Sequence, residues 1–295
     1  MSKEARLRFG EVRSADGTRL VTWTNDVASD LPTVLLCNGL GTNAHAWPAL
    51  LDPDCGVRVV SWNHRGVSGS DRPSDRRHVG QQAFIDDALA VLDDAAVERC
   101  VVAGWSIGVG TACRFALAHP DRVRGLFALA GVPDDPFGAM GGPLHVPRPV
   151  ARAFGRGLAG TLARIGAAFT PLTQHAPVTP RTTNALAHSG FMRPVADLDT
   201  ARRAVAEFLT TPVDWYAHAA RTLAADRVDV GRIAVPATFV GARHDLLARA
   251  ADVRAAAARV LGATYVELDG SHFVQLEQPD AVHGLLVDLL TTVSA

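Results

Sequence analysis

Two kinds of apolar pattern divide the chain. LRFGEVR and TRLVTWTN alternate apolar and polar positions on either side of Asp16-Gly17, which predicts an antiparallel hairpin with one face covered. PTVLLCNG, VRVVSWN, RCVVAGW and GLFALAG are instead short, β-branched and apolar at consecutive positions. That is the pattern of strands covered on both faces, as in a parallel sheet. Helix-like segments fall between them at 43–51, 79–94 and 107–119, so strand and helix alternate. The class predicted is α/β with right-handed crossovers.

After Gly131 the alternation stops. Residues 134 to about 225 hold helical pieces broken by Pro143, Pro147, Pro149, Pro171, Pro177, Pro180, Pro194 and Pro212, with no convincing strand. The pattern resumes with VPATFVG, a helix over 246–261, the strand ATYVELDG and a last helix from about Pro279 to Thr292. The organisation expected is a sheet domain over 1–133 and 226–295, interrupted by a helical insertion over 134–225.

Composition narrows the function classes. The chain has 295 residues, is 48% hydrophobic and 20% charged, and carries a formal net charge of -1. This is the balance of a soluble globular protein, with no global field to attract nucleic acid. Lys3 is the only lysine, read as a compositional bias rather than a function. MSKEARLRFGEVRS lacks the apolar region of a secretory signal, and no apolar run is long enough to span a bilayer. A cytoplasmic protein without stable membrane insertion is the expectation. Cys37, Cys55, Cys100 and Cys113 show no metal-ligand spacing and read as small buried hydrophobes in a reducing compartment.

Gly104-Trp105-Ser106-Ile107-Gly108 carries the candidate chemistry, because this G-x-S-x-G lies after a buried strand and before a helix. A serine on so sharp a turn takes strained backbone angles, and its neighbours two residues away must lack side chains. Gly104 and Gly108 meet that need, and Gly110 allows close helix packing. The hydroxyl still needs a base, since alone it is a poor nucleophile. Asp245 and then His272 follow, each just beyond a later strand, over the carboxyl edge of the sheet where ligands bind in open α/β folds. Asp134 and Asp135, after the strand that follows the serine, are the alternative station for the acid. His244, His283 and Asp269 are weaker candidates. For a developing oxyanion, the amide of Ile107 supplies one donor and that of Leu40, in the loop CNGLGTNAHAW, supplies the other.

With NGLG, GWSIG, the late Asp245 and GSH ending in His272 in order, the chain resembles the α/β-hydrolase fold superfamily along essentially its whole length. The resemblance implies a mostly parallel eight-stranded sheet flanked by helices, with an inserted helical cap and no metal or organic cofactor. WNHRGVSGSDRP resembles the arginine-glycine segment that such proteins place after the fourth strand, which implies that Arg65 and Ser70 brace loops near the site. Two positions depart from the family pattern: Asn38 stands where the oxyanion loop usually has His, and Asn63 where the brace usually opens with Asp.

Serine at the elbow argues against dehalogenase and epoxide-hydrolase chemistry, which the superfamily runs with Asp there. The resemblance then implies a serine hydrolase of the carboxylesterase kind, acting on a small-molecule acyl substrate. Ser106 would attack, His272 would serve as general base, and Asp245 would hold its tautomer. Thioesterase, acyltransferase, perhydrolase and non-catalytic binding roles remain open beside it.

The insertion bears on substrate. Trp105 either walls the pocket or packs beneath the elbow. Phe137, Met140, Phe191, Met192, Trp215 and Tyr216 are candidates for the inner surface of the cap, and His218 is a candidate to reach a polar group of the substrate. From Pro136 to Ala196 there is no acidic residue but six arginines. Arg148, Arg152 and Arg156 share one face of a helix whose other side holds Phe154, Leu158, Leu162 and Ile165. That face reads as solvated, as an entrance for anionic substrates, or as a contact with anionic lipid.

Overall fold

The computed structural model describes residues 7–224 and 227–294. Lys3 and the charged N-terminal hexapeptide lie outside the described residues, as does the boundary expected at 225–226. Eight strands form one sheet: β1 (Arg8–Arg13), β2 (Arg19–Thr24), β3 (Thr33–Cys37), β4 (Arg58–Trp62), β5 (Cys100–Trp105), β6 (Val123–Leu129), β7 (Ala237–Ala242) and β8 (Thr264–Leu268). Their order is β1-β2-β4-β3-β5-β6-β7-β8. The hairpin β1–β2 joins the edge antiparallel, and every pairing from β4 to β8 is parallel. Every residue of β5 and β7 is buried, as their unbroken apolar runs require.

Helices cover both faces. Before β6 come α1 (Gln81–Asp94) and α2 (Gly108–Ala118). Between β6 and β7 come α3 (Arg148–Ile165), α4 (Thr170–Gln174), α5 (Pro180–Ala187), α6 (Leu198–Phe208) and α7 (Val213–Leu223). No strand lies in that insertion among the described residues. The chain ends with α8 (Ala250–Ala257), α9 (Val274–Glu277) and α10 (Pro279–Ser294). One apolar core gathers Leu35, Val102, Phe115 and Phe239 on the α1, α2 and α8 side; the other gathers Leu36, Phe127, Val240 and Leu286 on the α10 side.

Two helical expectations are corrected. The segment 43–51 is not a helix but two 3-10 turns, Ala44–Ala46 and Pro48–Leu51, separated by Trp47, which leaves the helical region ahead of Pro48. The helix expected over 246–261 is only α8, because residues 247 and 248 give their amides to the Asp245 carboxylate instead of to a helix.

The arginine-glycine segment braces the β1–β2 hairpin against α1. Arg65, 2% exposed, forms a two-pronged pair with the fully buried Asp87 and also donates to Asp16, Ser14 and the His78 carbonyl. Burial opposes the charge on Asp16, but hydrogen bonds from Arg65 and Thr18 outweigh it and hold the carboxyl at about 2. Ser70 receives the Val21 amide and donates to the Asn63 carbonyl, while the Asn63 amide group binds the Ser68 carbonyl. Asparagine at 63 therefore still closes the turn. All four cysteines are free and buried, and burial pushes the thiols of Cys100 and Cys113 up to about 12.

Candidate active site

The carboxyl ends of β5, β7 and β8 bring three side chains together. Ser106, directly after β5, holds φ at 58°, in the left-handed region. That turn exists because its neighbours lack side chains. A Cβ on Gly108 would lie 2.0 Å from the Cys37 carbonyl oxygen, and one on Gly104 would lie 2.7 Å from the Gly108 carbonyl. Gly131, at the end of β6, leaves room for the Ser106 carbonyl in the same way, a Cβ there standing 2.2 Å away.

The Ser106 hydroxyl lies 2.8 Å from Nε2 of His272, and Nδ1 of His272 lies 2.8 Å from Oδ2 of Asp245. Asp245 is 1% exposed, and its other oxygen accepts the amides of Leu247 and Ala248 at 2.7 and 2.8 Å. A buried carboxylate with donors on both oxygens is fixed in orientation, so it fixes the imidazole in turn. Trp105 adds a further restraint, its indole N–H donating to the His272 carbonyl at 3.0 Å.

Among the described residues, neither Leu40 nor Ile107 spends its amide on a backbone or side-chain acceptor within the chain. Both residues border the space above Ser106. Asn38 shapes the Leu40 loop: its carbonyl oxygen accepts the Gly39 amide and the Trp47 indole, and its amide group donates to Asn43. The departure from histidine at this position thus leaves the loop tied at both ends.

Two apolar lobes meet over Ser106 and His272. One, of about 250 Å³, is walled by Trp105, Leu186, Met192, Val205, Phe208 and Leu276. The other, of about 220 Å³, runs beneath α3 and is walled by Phe137, Met140, Leu158, Leu162 and Ala220. Leu40, Tyr216 and Leu247 border both, and neither lobe is lined by a carboxylate, lysine or arginine.

Of the six aromatic and methionine side chains expected on the inner surface, five line a lobe and Trp215 does not. Trp215 is a correction: fully buried, it turns away from the cavity and donates to the Arg65 carbonyl at 2.6 Å, with the Arg72 guanidinium 4.7 Å from its ring. His218 is a second correction, since its Nε2 contacts the Arg76 carbonyl at 2.8 Å on that same outer side. The cavity side of α7 is made by Tyr216, Ala217 and Ala220. His244 contacts Asp269, and His283 contacts the Cys55 carbonyl, so neither approaches Ser106.

Asp135 does not take the acid's station; it lies between Arg148 at 2.9 Å and Arg152 at 2.7 Å. Arg148 also reaches Asp252 at 2.5 Å. These two arginines are therefore matched by carboxylates and line neither lobe. Residues that the sequence reading missed include Leu186, Val205, Phe208, Phe273 and Leu276 in the first lobe. The pairing of Val205 and Phe208 with Leu209 on one side of α6 is the pattern that could have marked them.

The comparisons agree with this architecture. A family model described as the alpha/beta hydrolase fold matches residues 32–279, and the chain belongs to that family. Among curated proteins, it is 35% identical over 105 residues to a putative carbamate hydrolase RutD of Caulobacter sp. (strain K31), covering 35% of this chain and 39% of that protein. It is 30% identical over 120 residues to epoxide hydrolase B of Mycobacterium tuberculosis, covering 36% of this chain and 33% of that one. The chain thus spans well under half the length of these curated relatives. Among solved structures, the enol-lactonase of Burkholderia xenovorans LB400 is 24% identical, with a TM-score of 0.71 over 96% of this chain and all of that one. Esterase RhEst1 of Rhodococcus sp. ECU1013 gives a TM-score of 0.73 at 18% identity, over 99% of this chain and 100% of its own.

Proposed function

We propose that the protein is a serine hydrolase that cleaves a neutral carboxylic ester with an apolar group on each side of the scissile bond. The observation that carries this is the continuous chain Ser106 Oγ–His272–Asp245 at the junction of two apolar lobes. His272 takes the hydroxyl proton as Ser106 attacks the carbonyl carbon, and the buried Asp245 stabilises the imidazolium that forms. The amides of Leu40 and Ile107 receive the oxyanion. Collapse expels the alcohol, protonated by His272, and leaves an acyl-serine that water then hydrolyses.

The absence of charged side chains along both lobes favours neutral groups, because a buried ionic group without a partner costs several kcal/mol, of the order of ~3–5. The same lining weighs against an acyl-CoA or other anionic group held inside the lobes. Ser106 at the elbow also weighs against carrying epoxide hydrolysis over from the curated relative of that name. The insertion over 134–225 acts as a cap, since its residues, from Pro136 and Phe137 through Leu162, Met192 and Phe208 to Ala220, supply most of the apolar wall.

The test is turnover of p-nitrophenyl and alkyl esters of graded length on each side of the bond. Saturable hydrolysis that falls below detection in Ser106→Ala and declines for charged acyl groups supports the reading. Equal turnover of anionic and neutral esters contradicts the substrate class, and undiminished turnover in Ser106→Ala contradicts the mechanism.

A further inference from the structure

Helix α3 is built the wrong way round for a helix that lies on a protein core. It buries its small residues, Ala151, Gly155, Ala159 and Gly160, and turns Val150, Phe154, Leu158 and Ile165 toward solvent. Gly155 sits so close to Phe137 that a Cβ would stand 2.7 Å from the ring, so the small face is what lets the helix dock. The apolar stripe continues past the helix through Phe169 and Leu172. Of the eleven large apolar side chains exposed among the described residues, eight fall between residues 136 and 196. Phe154 is 66% exposed and Leu172 is 72% exposed. Soluble monomers seldom gather so much apolar surface in one stretch without a use for it.

Charge says what covers it. The same stretch has no carboxylate and six arginines. Arg148 and Arg152 are matched by Asp135 and Asp252, and Arg193 lies 3.7 Å from Asp269. Arg164 and Arg181 are exposed and make no ion pair among the described residues, whereas Arg156 shares a polar cleft with Asp134, Asp135 and Asp229 on the other side of α3. A second copy of this chain would set arginine against arginine across a symmetric interface. A surface of opposite charge with an apolar interior meets both features.

We propose that the exposed face running from α3 to α4 adsorbs the protein onto an anionic lipid surface, with the apolar stripe entering the headgroup region and the free arginines meeting lipid phosphates. The contact is peripheral, since no helix among the described residues is long and apolar enough to cross a membrane. Leu158 belongs both to the exposed stripe and to the wall of the second lobe, so the adsorbed face lies beside the cavity above Ser106. Adsorption does not depend on Ser106 being a nucleophile; only the delivery of an apolar ester from the bilayer rests on that reading.

The experiment is flotation of the full chain with vesicles of phosphatidylcholine alone or mixed equally with phosphatidylglycerol. Adsorption to the mixed vesicles at low salt is expected, with loss at about 1 M salt, where charges are screened beyond about 3 Å. Phe154→Gln and Leu172→Gln are each expected to weaken binding about tenfold, and Arg164→Gln roughly fivefold. Leu261→Gln, at a 94% exposed position outside the stretch, is expected to change nothing. Ser106→Ala is expected to float as well as wild type, which separates this test from the hydrolase reading. No flotation with anionic vesicles, or equal flotation with both compositions, overturns the proposal. So does a dimer in sedimentation that Phe154→Gln dissociates, which would make the face a contact between copies.

Discussion

Nδ1 of His272 lies 2.8 Å from Oδ2 of Asp245, while the other carboxylate oxygen is held by two backbone amides. The ring can therefore present its unprotonated nitrogen to Ser106 in one tautomer only. Asp245→Asn keeps the shape but offers the ring a donor or an acceptor without the charge that fixes that tautomer. A fall of about 10⁴ in kcat, with little change in KM, is the expected result, measured by steady-state hydrolysis of whichever p-nitrophenyl ester is best. A loss carried mainly by KM would show that Asp245 acts on binding instead.

Gly108 stands where a Cβ would overlap the Cys37 carbonyl at 2.0 Å and the Asn38 carbonyl at 2.5 Å. Both neighbours are backbone at the mouth of β3, so neither can rotate aside. Gly108→Ala is expected to destabilise the fold by roughly 3 kcal/mol and to displace the Leu40 loop. Chemical denaturation and kcat/KM should fall together. An unaltered unfolding midpoint would mean that the elbow is looser than its contacts indicate.

Arg65 is the sole cation on the buried Asp87 among the contacts that carboxylate makes. Removing it strands the fully buried Asp87, while the partly exposed Asp16 keeps the Thr18 amide. Arg65→Met is expected to cost about 3–5 kcal/mol in unfolding free energy. The double variant Arg65→Met with Asp87→Leu should recover a substantial part of that cost, since the stranded charge is then gone.

His64 is buried, stacks on Phe84 with ring centroids 5.0 Å apart, and has its pKa pushed down to about 4 by that burial. The unfolded chain, with an ordinary value of 6.5, binds the proton more readily than the folded one. Stability from this group is therefore full above pH 6.5 and declines as the pH falls toward 4, by up to roughly 3 kcal/mol. Below about 4 both states are protonated and the decline from this group ends. His64→Phe should flatten the wild-type curve across that window when unfolding is followed as a function of pH.

Much of the sheet and of the candidate site was legible in the sequence, for local reasons. Ser106 follows β5 directly, and Asp245 and His272 come within four residues of the ends of β7 and β8, so the strands fix which edge they occupy. The glycines around the serine report a turn that admits no other residue. What was hidden depends on which side of an inserted helix meets the core. Trp215 and Tyr216 are adjacent in α7, yet the indole N–H finds the Arg65 carbonyl on one side while Tyr216 faces the cavity on the other. The pattern in α3 misleads more strongly, since its large apolar residues suggest the buried side and its glycines and alanines occupy that side. A backbone can approach its neighbour closely there only because the side chains are small, and that preference is set by the partner surface.

The two lobes imply separate control of the two halves of a substrate. Val205→Trp fills the first lobe and Met140→Trp the second, and each should shorten the chain tolerated on one side of the ester only. Chain-length series with varied acyl and varied alcohol groups would show it. If both variants trim the same side, the lobes form one continuous binding surface for a single group.

Reaction with a fluorophosphonate, read by intact mass and peptide mapping, tests the central claim most directly. Wild-type protein is expected to gain one phosphonyl group on Ser106. Labelling should vanish in Ser106→Ala and fall sharply in His272→Ala. Folded wild-type protein that stays unlabelled, or that carries the group on another residue, would contradict Ser106 as the nucleophile.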